Sequence, residues 1–169
     1  TITLDTTTNA FTGAITLTTN DASGNDAAVT IDGGTTALDI ATSTVDGNLT
    51  LTSGNASGIT DSGTLTIGGN LSATTDANSG VVNLGSLAVD GTVAVTTNGS
   101  GAATLVNDAG LSFATSDVGG TLSATATTGN ITDTGALTIA GTSAFTTSAD
   151  DATITLDTTT NAFTGAITL

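Results

Sequence analysis

Gly47-Asn48-Leu49-Thr50-Leu51-Thr52 opens a pattern that decides the fold, because it returns as Gly69-Asn70-Leu71-Ser72-Ala73-Thr74 and again as Gly91-Thr92-Val93-Ala94-Val95-Thr96. Each block alternates apolar and small polar residues. That period of two marks a strand with one face buried, and the Gly before it marks a corner. Further starts at Gly13, Gly120 and Gly141 bring the number of such units to six, spaced 34, 22, 22, 29 and 21 residues apart. Internal repeats of this length are the signature of a coil whose rungs bury a common core.

Aligned on their glycines, the units give columns. The first inward column reads Ile15, Leu49, Leu71, Val93, Leu122 and Ser143, and the second Leu17, Leu51, Ala73, Val95, Ala124 and Phe145. Thr18, Thr52, Thr74, Thr96, Thr125 and Thr146 form an outward column. A second apolar pair recurs as Leu65 with Ile67, Leu87 with Val89, Leu111 with Phe113 and Leu137 with Ile139. Between the pairs run Ile59, Val81, Leu105 and Ile131, followed two residues on by Asp61, Asn83, Asn107 and Asp133. These columns predict an all-β parallel β-solenoid of about six rungs per repeat. The longer units are expected to loop out at Ala41 to Val45, at Ala114 to Val118 and near Thr6 to Asn9. Phe11, Phe113 and Phe145 are expected to fill wide places near corners.

The last seventeen residues, Thr153 to Leu169, repeat Thr1 to Leu17 letter for letter at an offset of 152. Residues 1–152 are thus read as one full super-repeat and 153–169 as the start of the next. Leu38 to Leu49 matches Leu111 to Leu122, and Ile59-Thr-Asp-Ser-Gly63 matches Ile131-Thr-Asp-Thr-Gly135. The repeat therefore divides into related halves, about 47–119 and 120–152 continuing into the copy of 1–46. The chain is expected to be a window on a longer array, covalent or assembled head to tail.

Composition removes most activities. Ten residue types are used, and Lys, Arg, His, Glu, Cys, Met, Trp, Tyr and Pro are all absent. General acid-base and nucleophilic catalysis usually draw on His, Lys or Cys, and here only Asp remains. Zinc sites want Cys or His, a P-loop wants its Lys, and nucleic-acid binding wants cations. A net charge of −15 with no positive side chain repels nucleic acid and anionic membranes. No apolar run approaches the ~20 residues of a membrane helix. With hydrophobic residues at 37 % in regular alternation, the chain is not read as disordered.

The chain is accordingly read as a non-enzyme with no catalytic, cofactor-binding or metal site. An aspartate hydrolase would have to rest on clustered carboxylates such as Asp150 and Asp151. The Asp residues at turns are read as Asx-turn residues that bond their own backbone. No cofactor is expected beyond weakly held calcium or other divalent counterions. The Thr column gives an alternative reading, an ice-binding or adhesive face carried by Thr52, Thr74 and Thr96.

Leu4-Asp5-x-x-x-Asn9-x-Phe11-x-Gly13-Ala-Ile, the Ile-Thr-Asp-Ser/Thr-Gly motif with its following Leu-x-Ile strand, and the Gly-x-Leu-x-x-Thr rungs resemble the repeat regions of filamentous-haemagglutinin-like bacterial surface proteins. The resemblance implies a right-handed parallel β-helix exported to the cell surface or beyond. It implies a structural role as a fibre or adhesin stalk, partnered end to end, and possibly side by side, with itself.

Overall fold

The structure is a computed structural model that describes residues 1–20 and 27–169. Every element among them is a β-strand, and all pairings are parallel. The strands form an 11-stranded and a 9-stranded sheet, the two walls of a solenoid. The chain crosses from one wall to the other as it coils. Inward residues of successive rungs stack: Val29, Leu49, Leu71 and Val93 are in register on one wall, and Ala103, Leu122 and Ser143 on the other. Leu49–Ser53 alternates buried and half-buried positions throughout, as a pleated strand with one dry face must.

The chain passes along a wall in two ways. One is a single strand, such as Leu49–Ser53 or Leu122–Ala126. The other is a hinged pair of three-residue strands, such as Ile59–Asp61 with Leu65–Ile67, or Ile131–Asp133 with Leu137–Ile139. The hinge contains Gly63 or Gly135, where a Cβ would overlap Thr42 or Thr115 of the preceding rung. Only glycine lets the rungs close up there.

From Val29 to Asn98 the single strands lie in the 11-stranded sheet, and the 9-stranded sheet holds the hinged pairs together with the continuous Val82–Val89, which pairs with both strands of the Ile59–Ile67 hinge. From Ala103 onward the assignment reverses. Leu111–Phe113 with Ser116–Val118 now forms a pair in the 11-stranded sheet, while Leu122–Ala126 and Ser143–Thr147 are single strands in the 9-stranded sheet. The two walls exchange roles because each half contains, among the described residues, an odd number of wall passes, seven, and so spans three and a half turns. The full repeat makes seven turns.

This revises the sequence reading of six rungs. The units opened by Gly13 and Gly91, 34 and 29 residues long, each contain one additional strand, Val29–Asp32 and Ala103–Asn107. The expected loops at Ala41 to Val45 and Ala114 to Val118 contain strands Ser43–Val45 and Ser116–Val118, each with its Ser and Val buried. The column aligned on the glycines divides in two: Leu49, Leu71 and Val93 stand on one wall, Ile15, Leu122 and Ser143 on the other. Leu111 is registered against Ile131, so it opens a hinged pair rather than closing one. Ile59 meets Val82, one residue past Val81.

The core is a single aliphatic column joined near its end by aromatics. Phe113 and Phe163 reach in from the 11-stranded sheet and Phe145 from the 9-stranded sheet. Phe145 lies edge-to-face with both, at 6.2 Å and 88° to Phe113 and at 6.1 Å and 90° to Phe163. Such pairs add about 0.5–1.5 kcal/mol each beyond the area they bury. With no basic side chain in the sequence, cohesion rests on this packing and on the rung-to-rung backbone ladder.

Candidate functional site: the splices between walls and the two identical rungs

Where the walls exchange roles, a single strand must stack on a hinged pair, and the two backbones do not match. Polar side chains fill the gap. At one exchange the Leu17 amide donates to Ser43 Oγ at 2.9 Å, and that hydroxyl donates to the Ala41 carbonyl at 2.7 Å. At the other, the Val95 amide donates to Ser116 Oγ at 3.1 Å, and the hydroxyl to the Ala114 carbonyl at 2.9 Å. Both serines are buried. Each substitutes for the carbonyl that a matching strand would have offered, so that the buried amide keeps an acceptor.

The opposite walls have their own splices. Asn107, 1 % exposed, accepts from the Val89 amide at 2.9 Å and donates to the Val89 carbonyl at 3.1 Å and the Gly110 carbonyl at 2.6 Å. Thr36 Oγ1 accepts from the Phe11 amide at 3.1 Å in the corresponding place. Sequence reasoning missed these roles. Ser43 and Ser116 stand inside the repeated Ala-Thr-Ser segments, and a serine at an inward position two residues before a buried Val was the available signal.

The aspartates of the Ile-Thr-Asp motif also join rungs. Asp61 accepts from the Gly85 amide at 3.0 Å and the Ser86 amide at 2.7 Å, one rung on. Asp133 accepts from the Asp157 amide at 3.0 Å and from Asn161 Nδ2 at 2.6 Å. These two carboxylates bond the next rung, not their own turn as the sequence suggested; Asp32, which accepts from the Gly34 amide at 2.7 Å, does form an Asx turn. Asn48 and Asn70 continue the theme at the corners, each Oδ1 accepting from the amide of the rung that follows, Asn70 and Thr92, at 2.8 Å.

Asp150 and Asp151 occupy an exposed turn after Ser143–Thr147. Among the described residues, no three acidic side chains converge as a metal-binding group. The Thr column survives as three registered residues, Thr52, Thr74 and Thr96, ended on both sides by aspartates, Asp32 and Asp117. Thr125 and Thr146 belong to the opposite wall.

The remaining feature is the pair of identical rungs at either end. Thr1 to Leu17 and Thr153 to Leu169 fold alike: the Asn9 amide donates to the Thr6 carbonyl at 2.9 Å, and the Asn161 amide to the Thr158 carbonyl at 3.0 Å. Ile2 and its copy Ile154 both stand in the 11-stranded sheet. After 152 residues the coil has returned to the same wall with the same side chains.

A coil of near-identical rungs, spliced by side chains where its two walls trade places, defines a β-helical repeat protein. The chain belongs to the family described as Repeats of unknown function (DUF5649), which matches residues 24–84 and 100–169. The two matches begin 76 residues apart, half of the 152-residue period. No curated protein and no solved structure matches the sequence.

Proposed function

We propose that this chain is a structural segment of an extracellular bacterial fibre or adhesin stalk of the filamentous-haemagglutinin-like kind, giving length, rigidity and resistance to proteolysis. The observation that carries this reading is the return of the sequence to the same wall after seven turns. A repeat made of a whole number of turns can follow itself without a break in the core or the backbone ladder. At a strand spacing of ~4.8 Å, seven turns advance the axis by roughly 34 Å per repeat. The absence of Lys and Arg leaves trypsin-like proteases nothing to cut, and continuous pairing shields most other bonds.

The test is the mass of the fully denatured protein from its native source, together with its accessibility on intact cells. The reading predicts a chain of hundreds of kilodaltons that an impermeant label reaches from outside. A polypeptide near 16 kDa retained inside the cell would contradict it.

A further inference from the structure

The sequence holds a single Asn-Gly pair, Asn98-Gly99, and the coil places it in the link where the walls exchange roles, between Thr92–Asn98 on the 11-stranded sheet and Ala103–Asn107 on the 9-stranded sheet. Asn98 and Gly99 are both exposed. The Gly101 amide donates to the Asn98 carbonyl at 3.1 Å, closing a tight turn whose first central residue is Gly99 at a φ of 64°. Glycine suits that conformation, and its lack of a side chain leaves its peptide nitrogen open to the neighbouring carboxamide. That carboxamide reaches back one rung, Asn98 Nδ2 donating to the Asp76 carbonyl at 3.2 Å, a long bond on an exposed surface. The amides that follow Asn78, Asn107 and Asn130 are occupied. The Ser79 amide donates to the Asn98 carbonyl, the Asp108 amide to the Leu87 carbonyl and the Ile131 amide to the Thr153 carbonyl, each at 2.9 Å. The Gly99 amide donates to no group among the described residues.

We propose that Asn98-Gly99 is a self-modification site, at which the Gly99 nitrogen attacks Asn98 Cγ. The Gly99 N–H proton passes to solvent hydroxide as the N–Cγ bond forms. The Cγ–Nδ2 bond then breaks, and the Nδ2 group takes a proton from water and leaves as ammonia, so that a five-membered succinimide remains. Water opens the ring at either carbonyl, giving aspartate or isoaspartate. Nothing is oxidised or reduced, and the net exchange is water for ammonia. Either product loses the Nδ2 donor to the Asp76 carbonyl. Isoaspartate also lengthens the main chain by one carbon within the turn that joins the two walls. Along the proposed fibre such a site recurs in every 152-residue repeat, so ageing adds a carboxylate per repeat to a sequence with no basic side chain to offset it. That consequence rests on the fibre reading, whereas the reaction itself does not.

The 169-residue chain, incubated at mildly alkaline pH both folded and in urea, supplies the test. Mass spectrometry of thermolysin peptides, with electron-transfer fragmentation, locates each conversion and separates aspartate from isoaspartate. In the folded chain Asn98 is expected to convert while Asn78, Asn107 and Asn130 persist. Conversion of Asn78, which is followed by serine, should be suppressed by about tenfold or more relative to urea, because its nucleophile is released only when the ladder opens. The Ser79 and Gly101 amides, which share the Asn98 carbonyl, should exchange faster in the aged chain than in the fresh one. Aged and fresh Asn98→Gln should exchange alike. Conversion of Asn98 in urea but not in the folded chain would overturn the proposal, as would equal rates at Asn98 and Asn78 in the folded chain. Either result would leave the fibre reading standing, which the denatured mass decides.

Discussion

Asn107→Leu is expected to destabilise the coil by about 4 kcal/mol, although the exchange keeps the branched outline of the side chain and adds apolar surface to the core. Leucine removes the acceptor for the Val89 amide and the donors to the Val89 and Gly110 carbonyls, all at the junction where the walls exchange roles. A buried polar group stripped of its partner costs about 1–3 kcal/mol, and three are stripped at once. Asn83 occupies the equivalent place in the sequence columns but is exposed. Asn83→Leu should therefore change stability by no more than about 0.5 kcal/mol. Urea unfolding of both variants, with exchange of the Val89 amide, makes the comparison. Similar small losses in the two would show that the junction does not depend on the side-chain splice.

Phe145→Ala is the second large effect, about 4 kcal/mol, within the ~3–5 kcal/mol usual for emptying a buried phenyl site. Phe145 is fully buried and is the ring through which Phe113 and Phe163, on the opposite wall, are coupled. Relaxation into the hole is restricted because the Ser143–Thr147 strand that carries the ring is held in register on both sides, by Leu122–Ala126 and by Ile167–Thr168. The loss should also be local. In a coil stabilised by nearest-neighbour terms, amides of Ile131–Ile139 should exchange faster while those of Leu49–Ile67 keep their protection. A uniform rise in exchange along the chain would indicate one all-or-none unit instead.

The parallel solenoid was legible in the sequence because inward columns such as Leu49, Leu71 and Val93 recur at a fixed offset from Gly, which a flat antiparallel sandwich does not require. The exchange of walls was not legible from those columns. A single strand reads Gly-x-apolar-x-apolar on either wall, so Leu71 and Leu122 carry the same local signal although they stand on opposite walls. Only register separates them, and register depends on strand partners distant in the chain. One trace was present: the 34- and 29-residue units exceed the others by about half a turn, which a loop also explains. What resolves the ambiguity is chemistry at the junction. Buried Ser43, Ser116 and Asn107 replace backbone partners only where a single strand abuts a hinged pair. Asp61 and Asp133 were singled out by their motif, yet their bonds to Gly85, Ser86 and Asp157 depend on which rung lies next, and that is a property of the coil.

The exchange of walls after three and a half turns is the centre of the account, and paired cysteines introduced into this cysteine-free chain test it most directly. Thr74 and Thr96 are registered neighbours on one wall, whereas Thr125 points outward from the other. Neighbouring strands stand ~4.8 Å apart and facing sheets ~10 Å, while a disulfide needs Cα atoms within about 7 Å. Oxidation of Thr74→Cys/Thr96→Cys is expected to close an intramolecular bridge, and oxidation of Thr96→Cys/Thr125→Cys to leave both thiols free. A bridge between positions 96 and 125 would place them on one wall and contradict the exchange.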